Sequence, residues 1–169
     1  MHALVIYESL WGNTEQVARA IAAQLATVMT VEVVDSEAAP TQFDGIDLLV
    51  VGGPTHAFSM TRSSTRASAV SQHAAPKAPT RGIREWLAEL QRPPRGTRAI
   101  TFDTRVDRPR LPGSAARAAK QELQSLGFDI VGKQKSFRVH GYEGPLLDGE
   151  LDRAADWAKE ICNAMQASQ

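Results

Sequence analysis

The chain has 169 residues, enough for one well-buried domain and too few for two of ordinary size. Hydrophobic residues make up 43% and charged residues 22%; no apolar run approaches the ~18 residues of a membrane span, and a single Cys162 excludes an internal disulfide or a cysteine metal cluster. The formal net charge is zero but uneven, with one basic and seven acidic residues over 1–61, against eleven Lys/Arg and four Asp/Glu over 62–110. That basic middle reads as a solvated face, or as a docking surface for an acidic partner or a phosphate-bearing ligand.

The start, "MHALVIYES", lacks a basic segment followed by a long apolar core, so it predicts a first strand rather than a signal peptide, and a cytoplasmic protein is expected. Residues 3–7 form a continuous apolar run, as in a strand covered on both faces. A helix follows from about Thr14, with Val17, Ile21 and Leu25 on one stripe. Residues 30–35 predict a second strand and 47–53 a third, strongly β-branched one. The segment 62–80, rich in Ser, Ala, Thr, Pro and Arg, shows no coherent apolar face and is longer than a usual connection. It is expected as a mobile loop or lid, with a plain surface insertion as the alternative. Ile83, Trp86, Leu87 and Leu90 share a helical face, residues 98–103 predict a fourth strand, and the helix over 113–127 ends at Gly127. A fifth strand lies within 128–139, and 150–166 forms the last helix. Strands alternating with helices predict an α/β fold, a single doubly wound five-stranded parallel sheet with helices on both faces. Ligands of such sheets sit beyond the carboxyl ends of the strands, which directs attention to the loops after strands one, three and four.

The first of these reads "YESLWGNTEQVARAI". Amides at a helix start are unpaired and carry the positive end of the helix dipole. Ser9, Asn13 and Thr14 add side-chain donors, Gly12 permits a tight turn, and Leu10 and Trp11 complete it. Several such bonds hold a phosphate without an ionic side chain. A triphosphate loop would need GxxxxGK[ST] and a dinucleotide loop GxGxxG, and neither is present. An ordinary helix capped by Asn13 or Thr14 would leave Ser9, Trp11 and Gly12 together unexplained.

Here the chain resembles the flavodoxin family, whose signature of an aliphatic pair, an aromatic, then S/T-x-x-G-x-T-x-x-x-A-x-x-aliphatic is met at Val5, Ile6, Tyr7, Ser9, Gly12, Thr14, Ala18 and Ile21. The resemblance spans essentially the whole chain and implies a strand order 2-1-3-4-5, with "SLWGNT" cradling the 5′-phosphate of FMN. It further implies that Pro54, Thr55, His56, Ala57 and Phe58 run beside the ribityl chain and isoalloxazine edge, Thr55 bonding a ribityl hydroxyl or phosphate. Gly52 and Gly53 are expected to let the backbone turn beside the ligand, and Met60 to add apolar surface. The third loop begins at Asp103, Thr104 and Arg105. It holds no aromatic between Asp103 and Ser114, so either Trp11 stacks on the flavin in its place, the favoured reading, or the flavin is more exposed than usual. Arg105, Arg108 and Arg110 depart from the acidic surroundings usual in flavodoxins, and would stabilise a reduced, anionic flavin and raise its potential.

The resemblance thus implies an FMN-binding electron-transfer protein, working with a redox partner protein that carries an acidic docking face. No nucleic acid and no membrane span is expected. Two alternatives stay open: an FMN-dependent NAD(P)H–quinone oxidoreductase or protoporphyrinogen oxidase of the same fold, and a binding module without cofactor. A phospho-acceptor regulator would need an aspartate where "GGPTH" stands.

Overall fold

The computed structural model describes residues 1–168. In chain order the elements are β1 (His2–Tyr7), α1 (Asn13–Leu25), β2 (Thr30–Asp35), β3 (Leu48–His56), β4 (Ser59–Met60), α2 (Ser63–His73), α3 (Ile83–Glu89), β5 (Arg98–Val106), α4 (Ala115–Leu126), β6 (Asp129–Ile130), β7 (Lys135–Val139) and α5 (Glu150–Ala167). The sheet runs β2-β1-β3-β5-β6, with β7 also on β5 and β4 on β3. All pairings are parallel except the β3–β4 hairpin.

The strand order is the expected 2-1-3-4-5, but the sheet has seven strands rather than five. The fifth position is split into β6 and β7 around Gly132, which takes a positive φ of 68°. The hairpin supplies the other extra strand. Five parallel positions remain, as the alternation of strands and helices requires.

Period-two burial explains the two layers. Ala3 and Val5 of β1, Leu48 and Val50 of β3, and Ile100 and Phe102 of β5 pack against Val17 and Ile21 of α1 and Trp157 and Ile161 of α5. Leu4, Ile6, Leu49, Val51 and Ala99 face the other way, against Ile83 and Trp86 of α3 and Ala119 and Leu123 of α4. Gly52 and Gly53 belong to this packing rather than to a ligand-side turn. A Cβ at Gly52 would enter the Phe102 ring, and one at Gly53 would sit 3.3 Å from Ile83. Met60 is likewise buried in the second layer rather than lining the cavity.

Within 62–80, where a loop was expected, Ser63–His73 is helical. The apolar stripe that would announce a helix is absent because polar bonds hold α2 in place. Thr65 Oγ1 accepts from the Arg62 amide at 2.9 Å. Arg66, 2% exposed, donates to Glu85 Oε1 at 2.5 Å and to Thr61 Oγ1 at 2.9 Å. Leu10, Ala69 and Ala75 form a small cluster that joins α2 to the first turn.

Candidate functional site

A cavity of about 670 Å³ opens beyond the carboxyl ends of β1, β3, β5 and β7. Of the fourteen residues named from sequence, twelve line it: Ser9, Leu10, Trp11, Asn13 and Thr14 from the first turn, Pro54, Thr55, His56, Ala57 and Phe58 from the hairpin, and Thr104 and Arg105 from the end of β5. Gly12 and Asp103 stand outside the lining.

The first turn is built as an open helix start. Gly12 caps α1 with φ 100°, a left-handed conformation that a side chain would strain, and no side chain caps the helix. The cap is therefore Gly12 and not Asn13 or Thr14. The Gly12 amide donates to Ser9 Oγ at 3.1 Å, which folds the turn, while the amides of the first helical turn keep no intrahelical acceptor. Asn13 is turned away to the 140s loop, donating through Nδ2 to the Glu143 carbonyl at 2.9 Å. A Cβ on Gly144 would collide with that Asn13 amide, so this loop closes tightly on the turn.

The start of α4, at the same end of the sheet, is built the opposite way. Asp103, fully buried, accepts from Ser114 Oγ at 2.5 Å and from the Ala116 amide at 3.0 Å, filling that helix start with its own carboxylate. Asp103 thus caps α4 through Oδ2 and stands outside the cavity lining, with its Oδ1 buried and without a hydrogen-bond partner. Thr55 Oγ1 donates to Asp103 at 3.2 Å and accepts from the Ala115 amide at 2.9 Å, so its proton is committed to the α4 cap and one acceptor lone pair remains on this cavity-lining residue. Of the two helix starts, only that of α1 is left for an external anion.

The hairpin tip, Ala57 and Phe58, adopts φ values of 46° and 72°. Both are left-handed, the requirement of a tight two-residue hairpin, and here neither residue is glycine or asparagine. Such strain is held by packing at functional positions more often than elsewhere. Phe58 is 56% exposed at the rim. Burial pushes the His56 imidazole down to about 4, with repulsion from Arg66 and His73 adding to it, so at neutral pH it is uncharged. Trp11 is half-buried, 6.0 Å from the His56 ring, and its Nε1 donates to the His73 carbonyl at 3.1 Å.

Sequence reasoning missed two walls. One is the loop after β7 with Gly141 and Tyr142; the other is the face of α2 carrying Ser64, Ser68 and His73, whose segment was expected beside this site as a loop or lid but with no residue of it named. The His73 and Tyr142 rings stack at 4.0 Å, joining the two walls beside the first turn. The signal for Tyr142 was its place after the fifth strand, at the same sheet end as the loops already named. Behind the turn, Glu8 is 1% exposed and accepts from the Ile83 amide at 2.8 Å and Thr61 Oγ1 at 2.6 Å. Burial pushes its carboxyl above the usual range. Among the described residues no group of three or more His, Cys, Asp or Glu is placed to hold a metal ion, and no helix is long and apolar enough to cross a membrane.

No protein-family model and no curated protein matches the chain. Solved structures do. Oxidised Flavodoxin 2 from Bacillus cereus superposes with a TM-score of 0.69 over 100% of both chains at 15% identity. Oxidised Flavodoxin 1 from Bacillus cereus gives 0.68 over 96% of this chain and 98% of that one at 17% identity. The Fusobacterium nucleatum flavodoxin bound to flavin mononucleotide gives 0.63 over 96% and 97% at 13% identity. At such identities the likeness is one of architecture: the chain has the flavodoxin-like α/β fold.

Proposed function

We propose that the cavity binds FMN and that the protein is an FMN-binding electron-transfer flavoprotein. The observation that carries this is the contrast between two helix starts: α4 is filled by Asp103, while α1 opens onto the cavity without a side-chain cap, its first-turn Glu15 paired with Arg19 outside the lining. A phosphomonoester fits that arrangement, since backbone amides and the Ser9 hydroxyl bind its oxygens and no lysine or arginine is needed. The hairpin and the end of β5 would flank the flavin rings, with His56 neutral and Arg105 positive. The bound flavin supplies the redox chemistry. The chain positions it, excludes water and sets its charge environment, and the arginines favour a reduced, anionic form. The FMN-bound Fusobacterium nucleatum structure supports the choice of cofactor by its shared fold.

An absorbance titration of purified protein with FMN and with riboflavin tests the proposal. FMN is expected to bind far more tightly, because only it carries the phosphate, and equal affinities would overturn the assignment. The wall contributed by α2 favours a second reading, an FMN-dependent oxidoreductase acting on a small molecule. Steady-state turnover of NAD(P)H with quinones separates the two.

A further inference from the structure

The cavity has two ends of different electrical character. At the first turn the donors are uncharged. At the other end, the parallel register of β5 and β7 sets Arg105 directly beside Arg138. Like charges opposite one another across paired strands are destabilising. Burial, then repulsion from the Arg105 and Arg110 guanidiniums, pushes the ionisation of Arg138 below its usual value, with Asp103 and Asp107 opposing. Asp103 is committed to the start of α4. Asp107 is shared by Arg110 at 3.3 Å and Arg108 at 3.7 Å. Four arginines thus share this end with two carboxylates, Asp107 and the buried Asp103, whose Oδ1 has no hydrogen-bond partner, and no Asp or Glu lines the cavity.

Of these four, Arg105 and Arg108 line the cavity, beside Val106, Pro109, Leu111, Pro112, Val139 and Tyr142; Arg110 and Arg138 are outside the lining, and Arg138 donates to the Val106 carbonyl at 3.3 Å. Leu111 and Tyr142 stay 53% and 58% exposed. A flavin mononucleotide has a single phosphate, which the uncharged turn would take, so the arginine end, where Arg105 lines the cavity, keeps positive charge for a second anion.

We propose that this end is a second binding site, for a small molecule with a flat apolar body and one or two carboxylate, sulfonate or phosphate groups, seated beside the flavin. The flavin as neighbour rests on the function proposed above; the arginine site does not. A small molecule fits better than an acidic protein surface because Arg105 lies inside the concave wall, held by the Leu111 carbonyl at 2.7 Å. A protein face would reach mainly Arg108 and Arg110, whose side chains are 92% and 70% exposed, and would leave Arg105, which has a carbonyl partner but no carboxylate, without a counter-charge.

The test is a calorimetric titration of FMN-loaded protein with naphthalene-2-sulfonate and with neutral 2-naphthol at low ionic strength. The sulfonate is expected to bind at least about tenfold more tightly, a charge-assisted contact. Arg105→Gln should reduce that preference to within about twofold while Arg105→Lys retains most of it, as a charge effect requires. Should Arg105→Gln not fold, Arg108→Gln, whose side chain lines the cavity and pairs with Asp107, should lower the preference several-fold. Equal binding of the two probes would overturn the site. So would sulfonate binding that FMN displaces, which would make the arginines part of the flavin site. Failure of the sulfonate alongside a salt-sensitive complex with an acidic plant-type ferredoxin would overturn it in favour of protein docking. If the protein takes no FMN, the cofactor assignment fails, and the same titration of the cofactor-free chain still decides the arginine site.

Discussion

The hydroxyl oxygens of Thr14 and Thr104 lie 2.7 Å apart, 2% and 4% exposed, and pin the first turn of α1 to the end of β5. One hydroxyl donates to the other, so the pair keeps a single proton for any third group. Ser9 differs: its Oγ accepts from the Gly12 amide and its own proton stays free. Ser9→Ala is therefore expected to weaken FMN roughly ten- to a hundredfold, the worth of one hydrogen bond to a charged oxygen, and to leave riboflavin unchanged. Thr104→Val should lower stability by about 1 kcal/mol in urea unfolding, the net value of a neutral hydrogen bond. A Ser9→Ala protein that loses FMN and riboflavin affinity equally would remove the phosphate from this turn.

Trp11 lines the cavity, whereas Trp86 and Trp157 are 0% and 4% exposed within the two cores. Fluorescence quenching on FMN binding is accordingly expected to arise mostly from Trp11, and Trp11→Phe should abolish most of the change. The Trp11 Nε1 bond to the His73 carbonyl also ties the ring to α2, so its emission should report movement of that helix. An undiminished FMN-induced change in the variant would place Trp11 away from the ligand.

What the sequence made legible follows from how local each signal is. The α/β order was readable because β1, β3 and β5 bury both faces, and their apolar runs announce it without reference to any partner. The first turn was readable because its donors are consecutive. Helix α2 was not, since Arg66 holds it through Thr61 and Glu85, contacts that hydropathy does not encode. The part Thr55 and Asp103 play in capping α4 was hidden for a related reason. Both sit at the ligand end of their strands, yet the α4 amides reach them first, and only the packed structure shows that competition. Tyr142 was hidden by a split fifth strand whose carboxyl end could not be located.

Arg66 gives a stability prediction. Its guanidinium is 3% exposed and bonds Glu85, Thr61 and the Thr80 carbonyl, while Thr61 in turn donates to the buried Glu8. Arg66→Met would strip the cation from this network and leave Glu8 with a hydroxyl and an amide alone. Loss of one partner from a buried ion pair costs about 3–5 kcal/mol, and urea unfolding at neutral pH should show a loss of that order. Because α2 would lose its anchor, protease cleavage within 62–80 should also accelerate. Unchanged stability would mean that α2 is held by the Leu10–Ala69–Ala75 cluster instead.

The last prediction concerns His56 and pH. Its imidazole is depressed to about 4, first by burial and then by the positive charges of Arg66 and His73 on α2. In the unfolded chain an imidazole titrates near 6.5. Between those values the unfolded state binds a proton that the folded state refuses, so stability is complete above about pH 6.5 and falls as pH drops toward 4. Each tenfold difference in proton affinity between the two states is worth about 1.4 kcal/mol, so the loss by pH 5 is ~2 kcal/mol and the whole effect at most ~3 kcal/mol. Urea unfolding of wild type and His56→Gln at pH 7.5 and pH 5 isolates this contribution, because the other histidines are common to both proteins. The variant should lose less stability between the two pH values, by about that 2 kcal/mol. An NMR titration gives the direct reading. An imidazole that titrates near 6.5 in the folded protein would show the cavity wall to be hydrated at His56, and would place a positive charge beside any bound ligand under mildly acidic conditions.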